Sequence, residues 1–324
     1  MPTGIPYKFG FFDSLAAELT GRPTAALHLD VDAMCASADA IAPLARRLGV
    51  EPPAPHIAGL GYVHVSTLGA QVVITPAAEE PYVRPCIKSP ADIDRLAEPD
   101  DYLAAGLVPQ RLKLVAELRR RRPNASKSIG HDLEGPVTTA ALLMGSEFFM
   151  LPHDDPARAH KLLAFCTHSA INYCRAINAH QGTPLGEHIG FPDDFAGMFA
   201  PAKFREFVMP YWERIFSELG ATRRSLHCEL LHPEHMPMLE ELRIDSYDPS
   251  VDQYLPAEAL GEHCKVPYGL RLWPAWVQDK SADELVAMYR RFAADRPQYI
   301  MFHMHRREDE PKIAALLAVA RQLA

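Results

Sequence analysis

The chain has 324 residues, of which 48% are hydrophobic and 23% are charged. This is the composition of an ordinary globular protein, and the length suits either one large α/β barrel or two smaller domains. The formal net charge of −8 argues against nucleic-acid binding, because proteins that bind nucleic acids usually present a basic face.

The sequence contains no apolar stretch of about 18 residues, so no transmembrane helix and no membrane partner is predicted. Its first residues lack the basic start and apolar core of a signal peptide. The six cysteines are scattered without a CxxC pair, in a chain too long to need disulfides for stability. We therefore expect a cytoplasmic protein with reduced thiols.

Short apolar runs alternate with helix-period segments along the chain, and this alternation predicts the secondary structure. The predicted strands cover residues 24–31, 127–133, 147–151, 183–190, 224–230, 244–249, 266–273 and 299–304. The main predicted helices cover residues 103–121, 156–180, 201–219, 234–242, 281–294 and 309–323.

Eight strands separated by helices predict a single (β/α)8 TIM barrel rather than an open doubly wound sheet. One domain is expected over residues 1–324, with a long insertion at about 32–124 after the first strand. No GxGxxG or GxxxxGK[ST] motif follows a strand, which removes the main reason to expect a nucleotide-binding fold.

Polar residues gather at the predicted carboxyl ends of the strands, where barrel enzymes carry their active sites. Purely structural strand ends would favour aliphatic or small side chains, so we interpret this polarity as a functional mouth. The catalytic candidates are His28, Asp30, His131, His188, Asp193 and Arg271, with Asp194, Asp248 and His303 as further polar residues near strand ends.

The segment "SLHCEL" places His227 and Glu229 two residues apart, so both side chains are expected on one face of a strand. Cys228 is then expected to point to the other face. Two imidazoles and one carboxylate with an open position match a catalytic zinc site. The same residues are equally compatible with a hydrogen-bonded polar pair at the mouth of the barrel.

Four segments, at 131–145, 191–216, 225–250 and 299–317, resemble the uroporphyrinogen decarboxylase superfamily, which includes corrinoid-linked methyltransferases. The resemblance spans roughly residues 60 to 320. It implies a (β/α)8 barrel, and it implies a homodimer because dimers are common among relatives. Asp193 matches an aspartate in the family's "DD/DS-aromatic-AG" motif, which implies contact with substrate.

One segment departs from the family pattern. Classical uroporphyrinogen decarboxylases carry an arginine-rich segment after the first strand, which handles the carboxylates of the substrate. This chain instead has "LHLDVDAMCAS", with acids in place of arginines. Repulsion of a porphyrinogen with many carboxylates makes classical decarboxylase activity unexpected.

The methyltransferase branch carries a zinc-binding "HxC" pattern on the fifth strand and a third ligand at the end of the eighth. His227 matches the histidine, Glu229 stands in place of the cysteine, and His305 or His303 stands at the third position. The resemblance therefore implies metal ligands at His227, Glu229 and His305, for zinc or another divalent transition metal. It also implies a corrinoid methyl donor, carried by a corrinoid protein.

Three functions follow from these observations. The first is a metal-dependent methyltransferase-like enzyme that activates a thiol or hydroxyl group of a small-molecule acceptor. The second is a metal-free decarboxylase or lyase for a small carboxylated substrate, with Arg271 as a carboxylate clamp. The third is a non-catalytic ligand-binding subunit, although a binding mouth rarely needs so many titratable groups.

Overall fold

The computed structural model describes residues 4–76, 80–126 and 129–324. The strands are β1 (Tyr7–Phe11), β2 (Gln71–Val73), β3 (Tyr82–Arg84), β4 (His188–Pro192), β5 (Arg223–His227), β6 (Ser246–Asp248), β7 (Gly269–Arg271) and β8 (Tyr299–Met304). Short 3₁₀ helices cover Pro90–Arg95, Tyr102–Ala104, Ser146–Phe149, Asp194–Met198, Pro233–His235 and Arg307–Asp309.

The helices of the first half are α1 (Asp13–Thr20), α2 (Ala26–Leu29), α3 (Val31–Arg47), α4 (Val63–Thr67), α5 (Val108–Arg121), α6 (Pro136–Met144), α7 (Leu151–Asp154) and α8 (Pro156–Gln181). Those of the second half are α9 (Pro201–Phe207), α10 (Met209–Glu218), α11 (Met236–Glu241), α12 (Ala257–His263), α13 (Pro274–Asp279), α14 (Ala282–Ala294) and α15 (Glu310–Leu323). Within the described ranges, no helix is both long enough and apolar enough to cross a membrane.

Six strands are parallel and form two groups, β4-β5-β6 and β7-β8-β1. A single parallel bridge between Tyr247 and Tyr268 joins the two groups, so the six strands lie in one row. Strands β2 and β3 form a separate antiparallel pair. The predicted alternation of parallel strands and helices is confirmed for the second half of the chain.

The first half differs from the prediction. Residues 24–31, predicted as a strand, form α2 and the start of α3, while the first strand is β1 at Tyr7–Phe11. Asp30 accepts a hydrogen bond from the backbone N–H of Asp32 at 2.8 Å and so caps α3. The hydrophobic periodicity of a short apolar run does not distinguish a buried helix from a buried strand, which explains the error.

Two other strand predictions were also incorrect. Residues 147–151 form a 3₁₀ turn and the start of α7. In the predicted strand 127–133, residues 127 and 128 lie outside the described residues, and 129–133 have no regular secondary structure. The long helix predicted over 156–180 is confirmed as α8, with its apolar positions buried.

Alternate residues of the parallel strands face opposite sides, and this positions the site. One face packs against the helices and carries buried side chains such as Phe191, Leu226, Tyr247 and Phe302. The other face is polar and lines a shared cavity. His227, Asp248 and Arg271 lie on this second face, so they meet although they are far apart in sequence.

Candidate functional site

His227, the last residue of β5, lies at the centre of a charged cluster. Its Nδ1 is 3.3 Å from Oδ2 of Asp248 at the end of β6, and its Nε2 is 3.3 Å from Oδ1 of Asp194. The carboxylate of Glu229 lies 4.0 Å from the same Nε2. Both ring nitrogens thus face carboxylates, an arrangement that favours the doubly protonated ring.

The pKa of His227 reflects this arrangement. Burial by itself lowers the pKa, but the hydrogen bond and charge of Asp248, together with the charge of Asp194, outweigh burial and raise the pKa above its ordinary value. His227 therefore holds its second proton to a higher pH than an ordinary histidine does. A histidine that carries both ring protons is able to donate one of them.

Arg271, the last residue of β7, pairs with Asp248 through two hydrogen bonds. Its Nε donates to Oδ1 at 3.0 Å, and its Nη2 donates to Oδ2. Burial raises the pKa of Asp248, but the hydrogen bonds from His227 and Arg271 lower it well below its usual range. The predicted carboxylate clamp Arg271 is thus already engaged by a carboxylate of the protein.

Cys228 points away from this cluster, as predicted, and its side chain is fully buried. Its thiol donates to the carbonyl of Asp193 at 3.2 Å. Burial raises the pKa of this thiol well above its ordinary value. Cys228 is therefore a packing residue rather than a nucleophile or a thiolate ligand.

Asp193 does not occupy the position that the family motif implied. Its side chain is fully buried and accepts hydrogen bonds from the backbone N–H of Thr138 at 2.7 Å, the backbone N–H of Val137 at 3.3 Å and the indole of Trp212 at 2.7 Å. These donors occupy both carboxylate oxygens. Asp193 joins β4 to the first turn of α6, and its neighbour Asp194 is the aspartate that faces His227.

Glu134 is a functional candidate that the sequence prediction left unassigned. It is 9% exposed, its Oε2 has no hydrogen-bond partner within the described part of the chain, and its other oxygen lies against Gly61. Burial, with the nearby charges of Asp194 and Asp193, raises the pKa of Glu134 to about 9. One feature of the sequence could have indicated Glu134: it follows His131 and Asp132 closely in the segment "HDLEGP".

His28 and Asp30 belong to helical segments rather than to a strand end, so the predicted placement was wrong. His28 is buried on α2. Asp30 caps α3 and pairs with Arg22 at 2.9 Å, at a half-exposed position. Neither residue lines the cavity against the polar face of the parallel strands.

His131 and His188 are also separated from the cluster. His131 contacts Asn178 near the end of α8 through Nε2 and Oδ1. His188 is the first residue of β4 rather than one of its last, because the strand covers 188–192 instead of the predicted 183–190. Its Nε2 lies 2.9 Å from the hydroxyl of Ser225. His188 therefore lies at the amino end of the strands.

His305, the third predicted metal ligand, comes directly after β8. His305 stacks on Phe12 with ring centroids 4.3 Å apart, and His303 lies beside it on β8 at 6.2 Å. Throughout residues 4–76, 80–126 and 129–324, no group of three or more His, Cys, Asp or Glu side chains is arranged to hold a metal ion. His227, Glu229 and His305 do not form such a group within these ranges, and a metal held by them stays a prediction.

A cavity of about 470 Å³ lies against the polar face of the strands. His227, Asp248 and Arg271 line one part of it, and residues nearer the amino ends of the strands line the rest. A volume of this size accommodates a small molecule. The charged cluster therefore has adjoining space for a ligand.

Replacement of Glu134 by glutamine is expected to remove a pH dependence of stability. In the folded chain Glu134 keeps its proton up to about pH 9, whereas in the unfolded chain it loses the proton near its ordinary pKa. Unfolding therefore releases a proton between these values, and stability falls as pH rises. Relative to Glu134→Gln, the wild-type free energy of unfolding should fall by about 3 kcal/mol from about pH 6 to pH 8.

Urea denaturation at both pH values measures this difference. Glu262→Gln, at a site whose side chain is 75% exposed, serves as the control. It should leave the free energy of unfolding and its pH dependence unchanged. Equal pH dependence in wild type and Glu134→Gln would contradict a protonated Glu134.

Comparisons with known proteins agree with the architecture. A family model described as "Uroporphyrinogen decarboxylase (URO-D)" matches residues 57–266. Proteins named uroporphyrinogen decarboxylase from Myxococcus xanthus (strain DK1622) and Syntrophotalea carbinolica (strain DSM 2380 / NBRC 103641 / GraBd1) are each 26% identical over 215 residues. These matches cover 64% of this chain and 52% of each relative, so the chain spans about half the length of these curated relatives.

A solved structure with a similar fold is a methyltransferase from Methanosarcina mazei. It superposes with a TM-score of 0.72 and 17% sequence identity, over 98% of this chain and 94% of that one. At this identity the similarity shows a shared fold and carries no further conclusion about activity.

Proposed function

Because the chain belongs to the uroporphyrinogen decarboxylase family, we propose that it is an enzyme that decarboxylates a small carboxylated substrate, with His227 as the proton donor. The observation that carries this proposal is the contact of both ring nitrogens of His227 with carboxylates, at the end of a parallel strand and beside a cavity. A proton held at this position suits the protonation of a carbon that has lost its carboxyl group.

In the proposed reaction the bond between the substrate carbon and its carboxylate breaks. The electron pair stays on the carbon, carbon dioxide leaves, and His227 delivers the proton from Nε2 to that carbon. Asp248 orients the ring through Nδ1 and keeps it charged, in the way a buried carboxylate orients a catalytic histidine. Water then restores the proton to His227.

We also propose that the six parallel strands belong to a (β/α)8 barrel in a single domain. The segments at residue 58 and at residues 129–135 would occupy the two remaining strand positions of the barrel, between β1 and β4. In support, the backbone N–H of Gly135 donates to the carbonyl of Pro192 at 2.6 Å, which joins this segment to β4. Arg111 donates both to the carbonyl of Ala58 at 3.0 Å and to Asp132, which links the two segments.

The proposed activity is tested by release of carbon dioxide from a panel of small carboxylic acids, with uroporphyrinogen included as the family's own substrate. His227→Asn should lower the turnover of the best substrate by about 100-fold, since general acid catalysis contributes about that much. His263→Asn, at a half-exposed site on α12, is the control. Carbon dioxide release that does not respond to His227→Asn would contradict the proposed role.

Methyl transfer is the second candidate, because the solved structure with a similar fold is named a methyltransferase. This activity would use zinc or another divalent metal, and a corrinoid methyl donor held by a carrier protein. The chain would form a homodimer if it resembles its relatives. Metal analysis of protein purified without a polyhistidine tag tests it. A stoichiometric metal that is lost in both His227→Asn and Glu229→Gln would favour methyl transfer over metal-free decarboxylation.

A further inference from the structure

The amino-terminal half of the cavity has an unusual lining. Closed barrels normally fill this space with branched aliphatic side chains. Here the inward positions of three neighbouring strands hold Gly190 on β4, Ser225 on β5 and Ser246 on β6. Small polar residues leave room for a ligand where a purely structural interior would be packed.

Another part of the cavity wall is formed by an aromatic ring. Tyr299, the first residue of β8, lies over Gly269 of β7, where an added Cβ would come within 2.2 Å of the ring. A side chain at position 269 would displace Tyr299. The glycine therefore allows the ring to lie flat along this wall.

Lys8 on β1 brings a positive charge to this wall. Its ammonium lies 3.4 Å from the centroid of the Tyr299 ring, in a cation–π contact. Across the described residues, no carboxylate lies within salt-bridge distance of this ammonium. The other positively charged groups of the lining are Arg271 and the His227 imidazolium, and both pair with Asp248. Lys8 thus supplies the positive charge that remains for a ligand.

Polar donors lie at the same end of the strands. Nε2 of His188 lies 2.9 Å from the hydroxyl of Ser225, and both residues line the cavity together with Lys8. Lys8 and His188 are exposed, so this end of the cavity is open to solvent. A hydroxyl, an imidazole and an ammonium around one space form a recognition set for an anion.

We propose that this part of the cavity binds a carboxylate of the substrate, with Lys8 as the anchoring cation. The assignment of the anion as part of a substrate rests on the proposed function. A substrate anchored here extends along the polar face toward His227, which lines the same cavity. A substrate with two carboxylates would be held by one and decarboxylated at the other.

Calorimetric titration with succinate, inorganic phosphate and neutral succinamide tests this proposal without requiring turnover. Succinate should bind to the wild type, succinamide should not, and Lys8→Met should weaken succinate binding at least tenfold. Lys8→Arg should retain most of the affinity, because the charge is kept. Lys265→Met, at an exposed site, is the matched control and should bind like the wild type.

Two results would overturn the proposal: wild-type protein that binds neither anion, or equal succinate affinity in the wild type and Lys8→Met. Preference for phosphate over succinate would overturn the carboxylate assignment. Thermal unfolding of each variant checks that the fold is intact. Because only binding is measured, loss of succinate affinity in Lys8→Met supports this site even if no acid in the decarboxylation panel is turned over.

Discussion

Asp248→Asn is expected to destabilise the folded protein by about 3 kcal/mol, because it removes one partner of a largely buried pair and leaves Arg271 without its countercharge. The side chains of Asp248 and Arg271 are 15% and 27% exposed. The same substitution should lower the pKa of His227, since Asp248 is the main group that raises it.

Urea denaturation measures the loss of stability, and NMR titration of the His227 ring measures the pKa. The matched control is Glu241→Gln, which breaks a pair with Arg205 that also has two hydrogen bonds, at 2.6 and 2.7 Å. That pair is about half exposed, so its loss should cost less than about 1 kcal/mol. Equal effects of the two substitutions would show that burial of Asp248 contributes nothing.

Asp193→Asn is expected to destabilise the protein by a similar amount, about 3 kcal/mol. Its carboxylate accepts from three donors, the backbone N–H groups of Val137 and Thr138 and the indole of Trp212. An asparagine in this place has one acceptor oxygen, and its NH₂ group would face an N–H donor. A buried donor without a partner costs about 1–3 kcal/mol, and steric displacement adds to this.

Asp155→Asn provides a matched control for this substitution. Asp155 also accepts at the first turn of a helix, from the backbone N–H of Arg158 at 3.1 Å, but its side chain is 31% exposed. Asparagine is as good a helix cap as aspartate, and the pair of Asp155 with Arg158 at 2.7 Å is open to solvent, so this change should cost less than about 1 kcal/mol. An Asp193→Asn protein as stable as Asp155→Asn would contradict a structural role for the buried carboxylate.

The two adjacent aspartates show why a motif is not enough to assign roles. The family pattern indicated Asp193 as the residue that contacts substrate, whereas its side chain is buried and Asp194 faces His227. The backbone at the end of β4 turns into a 3₁₀ helix at Asp194. Strand alternation no longer applies beyond this point, so the spacing could not identify which carboxylate faces the site.

Other features of the site followed directly from local spacing. His227 and Glu229 were expected on one face and Cys228 on the other, and the structure agrees. Arg271 was expected at the end of a strand, and it is the last residue of β7. These predictions succeeded because side chains alternate between the two faces of a single strand. That alternation does not depend on contacts with distant parts of the chain.

The sequence alone determined the family, the parallel strands of the second half and the orientation of the residues around His227, because these depend on periodicity and motifs within short segments. Only the tertiary structure decided that β1 rather than residues 24–31 is the first strand, that Asp248 and Arg271 pair beside His227, and that His305 stacks on Phe12. These contacts depend on the register between strands far apart in the chain, and register is set by packing of the whole molecule.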